Sequence, residues 1–257
     1  MDKKSFLKLF KDSDEYMLSS LWNDIELAEE TEVPIFTKEF YPPAIWSFLE
    51  KNNINGLKFI CKGLNSDSEK KMIMISPKDY DISYFDFPVV YFKIDGQNKF
   101  RELFHKDFLG TIMSLGIKRE IMGDLIVKNS ICFGIITEEK YGIINQEIKK
   151  IGNVPVKFQE ILKEDVPESE FKSEILLVSS LRIDSFVSAV TGLSRQKSVE
   201  EIEKGNVLLN YNIQKDKSTE IKEGDILTVK KIGKFKFQEI KGENRKNKIR
   251  INVKKFI

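Results

Sequence analysis

Two cysteines and one histidine are all that 257 residues offer for soft-metal or thiol chemistry. Cys61 and Cys132 stand 71 residues apart, so neither a CxxC zinc site nor a disulfide framework can be built from them. Both read as small hydrophobes of a reducing compartment. The single His105 falls in FRELFHKDFLGTIMSL, a helical pattern in which a polar helix-face residue is expected rather than a catalytic base. Long apolar runs are missing too: nothing approaches the roughly 18 residues that would cross a bilayer. The opening MDKKSFLKLFKDSDEY has neither the apolar stretch nor the small-residue cleavage site of a secretion signal. A cytoplasmic protein without membrane contact is the expectation. There is no glycine-rich cofactor loop after a strand, as a methyltransferase would need. Acids are scattered along helix faces rather than gathered for the metals of a nuclease. No catalytic residue, cofactor, metal or small-molecule substrate is therefore expected.

What the chain does have is a folded protein's composition, 41% hydrophobic and 32% charged, and a hidden charge asymmetry. The net charge of +2 conceals a balance of +8 over residues 181–257 against −6 over residues 1–180. Clustered cations gain free energy by releasing counterions from phosphates, so a basic end on an acidic body points to a polyanionic partner.

The order of elements implies an α+β protein of three parts. Residues 1–72 read as a mainly helical domain: Asp14–Thr31 sets Tyr16, Leu18, Leu21, Trp22, Ile25 and Leu27 at helical spacing, and Pro42-Pro43 opens a second helix at AIWSFLEKN. Asn55-Gly56 turns into LKFICKG, a strand. Residues 73–165 read as a ferredoxin-like α/β plait, in the order strand Phe87–Ile94, helix Lys99–Leu115, hairpin Asp124–Asn129 with Ile131–Thr137, helix Glu139–Lys149 and strand VPVKFQEI. Tyr91, Phe92 and Phe133 could stack bases, with core packing the default. Lys118 and Arg119, after a helix end, are better placed for phosphate. The acidic stretch Glu164–Glu174 is the boundary before a third domain at 175–257.

That domain is the specific part. Ser180 is positioned to cap a helix bearing Leu181, Phe186, Val187 and Val190, and Gly192 ends it. Ser194 caps a second helix, whose first turn carries Arg195 and Lys197. Arginine's planar fork holds two phosphate oxygens at once, and a helix N-terminus favours anions. Asp184, amid these cations, has a structural part in orienting a neighbour or the helix start. In Lys230–Ile257, the alternation of KFKFQEI and KIRINVKKF puts bases, Lys234 and Lys236 among them, on one face of a hairpin.

The residues Arg182-Ile183-Asp184, Ser194-Arg195, Ile202, Gly205, Val207, Asn210 and Gly224-Asp225 resemble the pattern of the RNA-binding domain named after ribosomal protein S-four, in order and spacing over about fifty residues. Outside it, Phe36–Pro43 and His105–Val127 resemble the YlmH family of bacterial proteins, in which a helical part and a plait-like part precede the same C-terminal module. The segment Cys61–Lys71 departs from that family's glycine-rich loop. The resemblance implies a two-helix-plus-small-sheet RNA-binding domain. It also implies binding of structured rRNA or tRNA on the large ribosomal subunit, in the rescue of stalled complexes that still hold peptidyl-tRNA. The expected RNA ligands are Arg182, Ser194, Arg195, Lys197, Lys204, Asn210, Lys118, Arg119, Lys234 and Lys236. Two other readings stand beside it: an adaptor linked to cell division that binds proteins through its acidic N-terminal region, and an accessory factor of RNA modification.

Overall fold

Asp14 opens the longest helix of the chain by accepting a hydrogen bond from the Met17 amide at 2.8 Å. From there Leu18, Leu21, Trp22, Ile25 and Ala28 recur at three- and four-residue steps and are buried. Tyr16 and Leu27, expected on the same stripe, are exposed. The computed structural model that carries these features describes residues 1–10, 13–99, 101–246 and 248–256. The expected helix from Lys99 and the expected hairpin Lys230–Ile257 therefore include positions outside the described residues, Phe100 in the first and Asn247 and Ile257 in the second. Two compact units divide the chain, Met1–Glu168 and Ser169–Ile257.

The first unit begins with α1 (Lys3–Leu9), α2 (Glu15–Thr31), β1 (Ile35–Tyr41), α3 (Pro43–Lys51), β2 (Leu57–Lys62) and β3 (Lys71–Pro77). This corrects the helical reading of residues 1–72: β1, β3 and β2 form an antiparallel sheet in that order. Pro34 ends one helix and Pro42 delays the next, and the seven residues between them pair with β3. The same strand runs through the expected 72/73 boundary and is the centre of the N-terminal sheet.

The chain continues through β4 (Val89–Asp95), α4 (His105–Ser114), β5 (Met122–Lys128), β6 (Ile131–Thr137), α5 (Glu138–Glu147), the small ladder β7 (Lys150–Ile151) and β8 (Val154–Pro155), and β9 (Lys157–Ile161). Helix α4 starts six residues later than Lys99, because Asp107 turns back to accept from the Phe104 amide at 2.9 Å and fixes the start there. The second sheet has the order β5-β6-β4-β9, all neighbours antiparallel. One of its faces buries Phe92, Ile94, Cys132 and Ile136 with Phe108, Ile112 and Ile144 of the two helices. On its other face Tyr91 and Ile135 meet Phe40, Met72 and Met74 of the N-terminal sheet. The sheets touch so closely at Gly123 that a Cβ there would lie 2.4 Å from Ile135 Cγ2 and 3.2 Å from the Phe40 ring.

The second unit holds β10 (Phe171–Val178), α6 (Ile183–Thr191), α7 (Arg195–Glu203), β11 (Val207–Leu209), β12 (Asn212–Ile213), β13 (Ile226–Val229), β14 (Gly233–Glu243) and β15 (Ile249–Phe256). They form one antiparallel sheet of order β10-β15-β14-β13-β11-β12. It starts within the expected linker, since Phe171–Glu174 pair with β15. Phe235 and Phe237 point inward against Val187, Ile202 and Phe186, whose ring centroid is 5.5 Å from that of Phe237. Each such fully buried side chain contributes about 2 kcal/mol of hydrophobic free energy. Among the described residues no helix is long and apolar enough to cross a membrane.

Candidate nucleic-acid interface

Helix α6 begins at Ile183 with Arg182 as its N-cap, not at Ser180. The backbone pins that start: the Ile183 amide donates to Thr219 O at 2.8 Å, and the Ile221 amide to Leu181 O at 2.9 Å. Asp184 therefore falls in the first turn, where the helix dipole favours a carboxylate. It is only 3% exposed. Arg182 reaches it with Nε to Oδ1 at 3.2 Å and Nη2 to Oδ2 at 3.3 Å. Arg195, in the first turn of α7, brings Nε and Nη2 each to 3.1 Å from Oδ2, and the Ser185 amide completes the set at 2.9 Å from Oδ1. Burial alone would raise the Asp184 pKa. The hydrogen bonds from Arg182 and Arg195 outweigh it and hold the carboxyl below its ordinary value.

Two arginines are thus locked side by side across the α6–α7 corner by one buried acid, with their side chains still 39% and 55% exposed. Two charges held by one buried acid leave a positive patch, with Asp216 the further carboxylate that feels Arg182. The geometry suits an anion with several oxygens, because a guanidinium presents five N–H donors and Asp184 takes only part of them.

The other expected residues separate by what already occupies them. Ser194 caps α7, accepting from the Lys197 amide at 3.3 Å, and Lys197 is exposed beside it. Lys204, at the far end of α7, sits between Glu200 at 3.9 Å and Glu201 at 3.4 Å, which offsets much of its charge. Asn210 has a left-handed backbone (φ 47°) and locks the adjoining turn, giving Nδ2 to Asp225 at 2.8 Å and receiving the Ile226 amide at 3.0 Å. Lys234 and Lys236 do not stand beside the arginines. They alternate with Phe235 and Phe237, whose side chains pack on the helices, so the lysines project from the opposite face of the sheet. There Lys234 lies 3.9 Å over the Phe256 ring.

In the first unit Lys118 and Arg119 are exposed at a single 3-10 turn before β5. Sequence spacing gave no sign of two neighbours that packing brings to them. Asp124 accepts from the Glu69 and Lys70 amides at 2.6 and 3.2 Å, and this aims Lys70 Nζ at Arg119 O, 2.9 Å away. Burial, then the Arg119 charge, pulls the Lys70 ammonium below its ordinary pKa, and the same two causes lower His105. Only the pairing of β1 with β3 carries Lys70 here, a contact of high sequence separation. Tyr91 and Phe92 are core residues on opposite faces of their sheet, and Phe133 is half-buried. The N-terminal sheet covers the face of Tyr91 and the helices cover that of Phe92, so neither ring is presented to a base. Both thiols are raised by burial. No group of His, Cys, Asp and Glu among the described residues is arranged to hold a metal ion.

Residues 83–165 match the family model described as "Putative RNA-binding domain in YlmH". The Bacillus subtilis (strain 168) "Ribosome-associated protein quality control protein P2" is 26% identical over 190 residues, covering 73% of this chain and 74% of that protein. Both matches support the YlmH family. A solved structure, "Cell division protein ylmH from Streptococcus pneumoniae", is similar at 26% identity over 60% of this chain and 94% of that one, with a TM-score of 0.47. The YlmH-matched segment contains His105, Lys118, Arg119 and Asp124. It ends before the arginine pair, for which the resemblance rests on the residues quoted above.

Proposed function

We propose that this chain is a non-catalytic RNA-binding protein of the cytoplasm that grips structured rRNA or tRNA through Arg182, Arg195 and Lys197. Its place of action is the large ribosomal subunit, during rescue of complexes that still carry peptidyl-tRNA. The observation that carries the reading is the arginine pair ordered by buried Asp184. Holding two forks in place before the ligand arrives lowers the ordering cost of binding. The names of the matched family and of the Bacillus relative favour RNA and the ribosome as partners. The helix pair backed by a sheet supports an S-four-type layout, and the sheet order β5-β6-β4-β9 with two helices on one face supports a ferredoxin-like plait. Lys118 and Arg119 supply a second contact. Lys234 and Lys236 contribute long-range attraction rather than the grip.

Sedimentation of cell lysate on a sucrose gradient tests this. Wild type travels with the large subunit, and the triple variant Arg182→Gln/Asp184→Asn/Arg195→Gln stays at the top. That variant neutralises the cluster without stranding a buried charge, so loss of sedimentation reports on binding rather than on folding. Wild type remaining at the top at low salt would overturn the reading.

A further inference from the structure

Next to the arginine pair lies a cavity of about 170 Å³ that the RNA-binding reading does not use. Ser179, Ser185, Ser188, Arg195 and Lys248 line its polar part, and Leu177 its apolar part. No acidic side chain is among the lining residues. Ser185 and Ser188 are three apart on α6 and so share a helix face. Ser179 ends the turn after β10, and its Oγ is 3.1 Å from Ser185 Oγ while its amide donates to that same oxygen at 3.3 Å. Ser188 is oriented by donating to Leu193 O at 2.7 Å. Lys248 comes from the β14–β15 turn, which Asn244 closes by accepting the Lys248 amide at 2.9 Å. Arg195 is shared: Nε and Nη2 are engaged by Asp184, and its remaining donors are the ones that can serve the cavity.

Three hydroxyls, a guanidinium and an ammonium around a small cavity with no carboxylate form an oxyanion receptor. Ser188 gives its proton to Leu193 O, and one of Ser179 and Ser185 donates to the other. The donors left for a ligand are one hydroxyl, the Lys248 ammonium and the guanidinium protons of Arg195 that Asp184 does not take. The hydroxyls already have partners within the wall and Arg195 shares Asp184 with Arg182, so what the cavity offers a ligand is surplus positive charge, from Lys248 and from the part of Arg195 that Asp184 does not engage. We propose that this cavity seats one phosphate group of bound RNA, with Lys248 and the unengaged donors of Arg195 supplying the charge and the free hydroxyl of the Ser179–Ser185 pair donating to one of its oxygens. This rests on the RNA-binding reading above and adds to it a defined phosphate subsite beside the arginine pair.

The test uses the full chain and bulk tRNA as the probe. Affinity is measured against salt concentration for wild type, Lys248→Gln and Ser179→Asp. Lys248 and Ser179 are both exposed; Ser179→Asp replaces the bond between the Ser179 and Ser185 hydroxyls with one that the Ser185 hydroxyl can donate to the new carboxylate. One phosphate contact fewer should lower the slope of log affinity against log salt by about 0.9 in Lys248→Gln. A carboxylate placed in the cavity by Ser179→Asp should weaken binding at least about tenfold by like-charge repulsion. Repeating the series with phosphatase-treated tRNA separates the two sources of the group. An unchanged difference between variants assigns a backbone diester, and its disappearance assigns the terminal monoester. A wild type with a steep slope, matched by both variants, overturns the subsite while leaving the RNA reading intact. A wild type that does not bind tRNA or ribosomal RNA at low salt overturns that reading itself.

Discussion

Both large sheets of this chain are antiparallel and both carry two helices on one face, yet their other faces have opposite fates. In the first unit the face bearing Tyr91 and Ile135 is covered by Phe40, Met72 and Met74 of a second sheet. In the second unit the corresponding face leaves Ile175 and Leu177 58% and 48% exposed, among Lys234, Lys236 and Lys254. The same alternation of side chains builds a closed sandwich in one case and an open-faced sheet in the other. The consequence is functional. Tyr91 and Phe92 on β4 are structural because both faces of their sheet are packed, and the exposed Lys118 and Arg119 sit on a turn. In the second unit the helix corner and the sheet face are both accessible, and the proposed grip is placed at the corner because Asp184 orders the arginine pair there.

The most damaging way to break this contrast is to force the sandwich apart. Gly123→Val pushes two methyl groups into Ile135 and Phe40, where even a Cβ is too close, and should destabilise the first unit by about 3 kcal/mol. Trp22 and Trp46 are the chain's two tryptophans and both belong to that unit, so fluorescence-detected urea unfolding reads it selectively. An unchanged midpoint would mean that the sheets do not meet at Gly123.

The second unit has its own weak point, of somewhat smaller effect. Arg182→Ala/Arg195→Ala leaves Asp184 buried with no cation, and should cost about 2 kcal/mol, discounted for the partial exposure of both arginines. The triple variant that also neutralises Asp184 should recover most of the loss. Amide exchange of α6 and α7 amides measures both. Equal stability of the double and triple variants would show that Asp184 does not depend on the pair. This bears on how the site was legible. The residue types Arg182, Asp184 and Arg195 stand out in the sequence, but a spacing of two and eleven residues says nothing of a shared carboxylate. Only the α6–α7 turn creates it. For the same reason the basic periodicity of Lys234 and Lys236 is readable in the sequence, whereas which sheet face receives the helices is not. Strand alternation identified Phe235 and Phe237 as the apolar set, and that much was sufficient for the local fold. What failed was the N-terminal part, where β1 is a strand through long-range pairing with β3, and where the 72/73 boundary cuts the central strand of a sheet. Removal of residues 1–70 would therefore expose Tyr91 and Ile135 rather than release an independent adaptor domain.

Two aspartates sharpen the comparison through pH. Asp24 on α2 is raised to about 6, first by burial, with Lys38 opposing and Glu39 reinforcing. Its folded value lies above its unfolded 3.8, so the folded first unit takes up a proton as pH falls through 6 and gains stability down to about 4. Asp184 is shifted the other way. Its contribution is complete above 3.8 and is lost as pH falls through its lower folded value. Between pH 7 and pH 5 protonation of Asp24 should add stability to the tryptophan-detected unit, reinforced by Glu39, which burial also raises, and opposed by His105, which burial lowers. The protection of α6 amides relative to the intrinsic exchange rate should stay constant. Asp24→Asn should remove the Asp24 share of the first response and leave α6 untouched. If Asp24→Asn leaves the slope of tryptophan-detected stability between pH 7 and 5 intact, Asp24 does not contribute to it.

The smallest effect distinguishes the open face from the corner. Lys71 lies 3.7 Å over the Trp46 ring in the first unit, and Lys234 lies 3.9 Å over Phe256 in the second. Exposed cation–π contacts of this kind contribute about 0.5 kcal/mol. Lys71→Gln should lower the tryptophan-detected stability by that amount and alter the emission of Trp46 directly, whereas Lys234→Gln should do neither. The second variant matters more for RNA. Because Lys234 projects from the face away from α6 and α7, its loss should leave most of the tRNA affinity in place and remove only long-range attraction, which salt screens over about 10 Å at 0.1 M. A loss as large as that of the arginine variant would mean that the nucleic acid crosses onto the open sheet face. The corner and the face would then have to be treated as one binding surface.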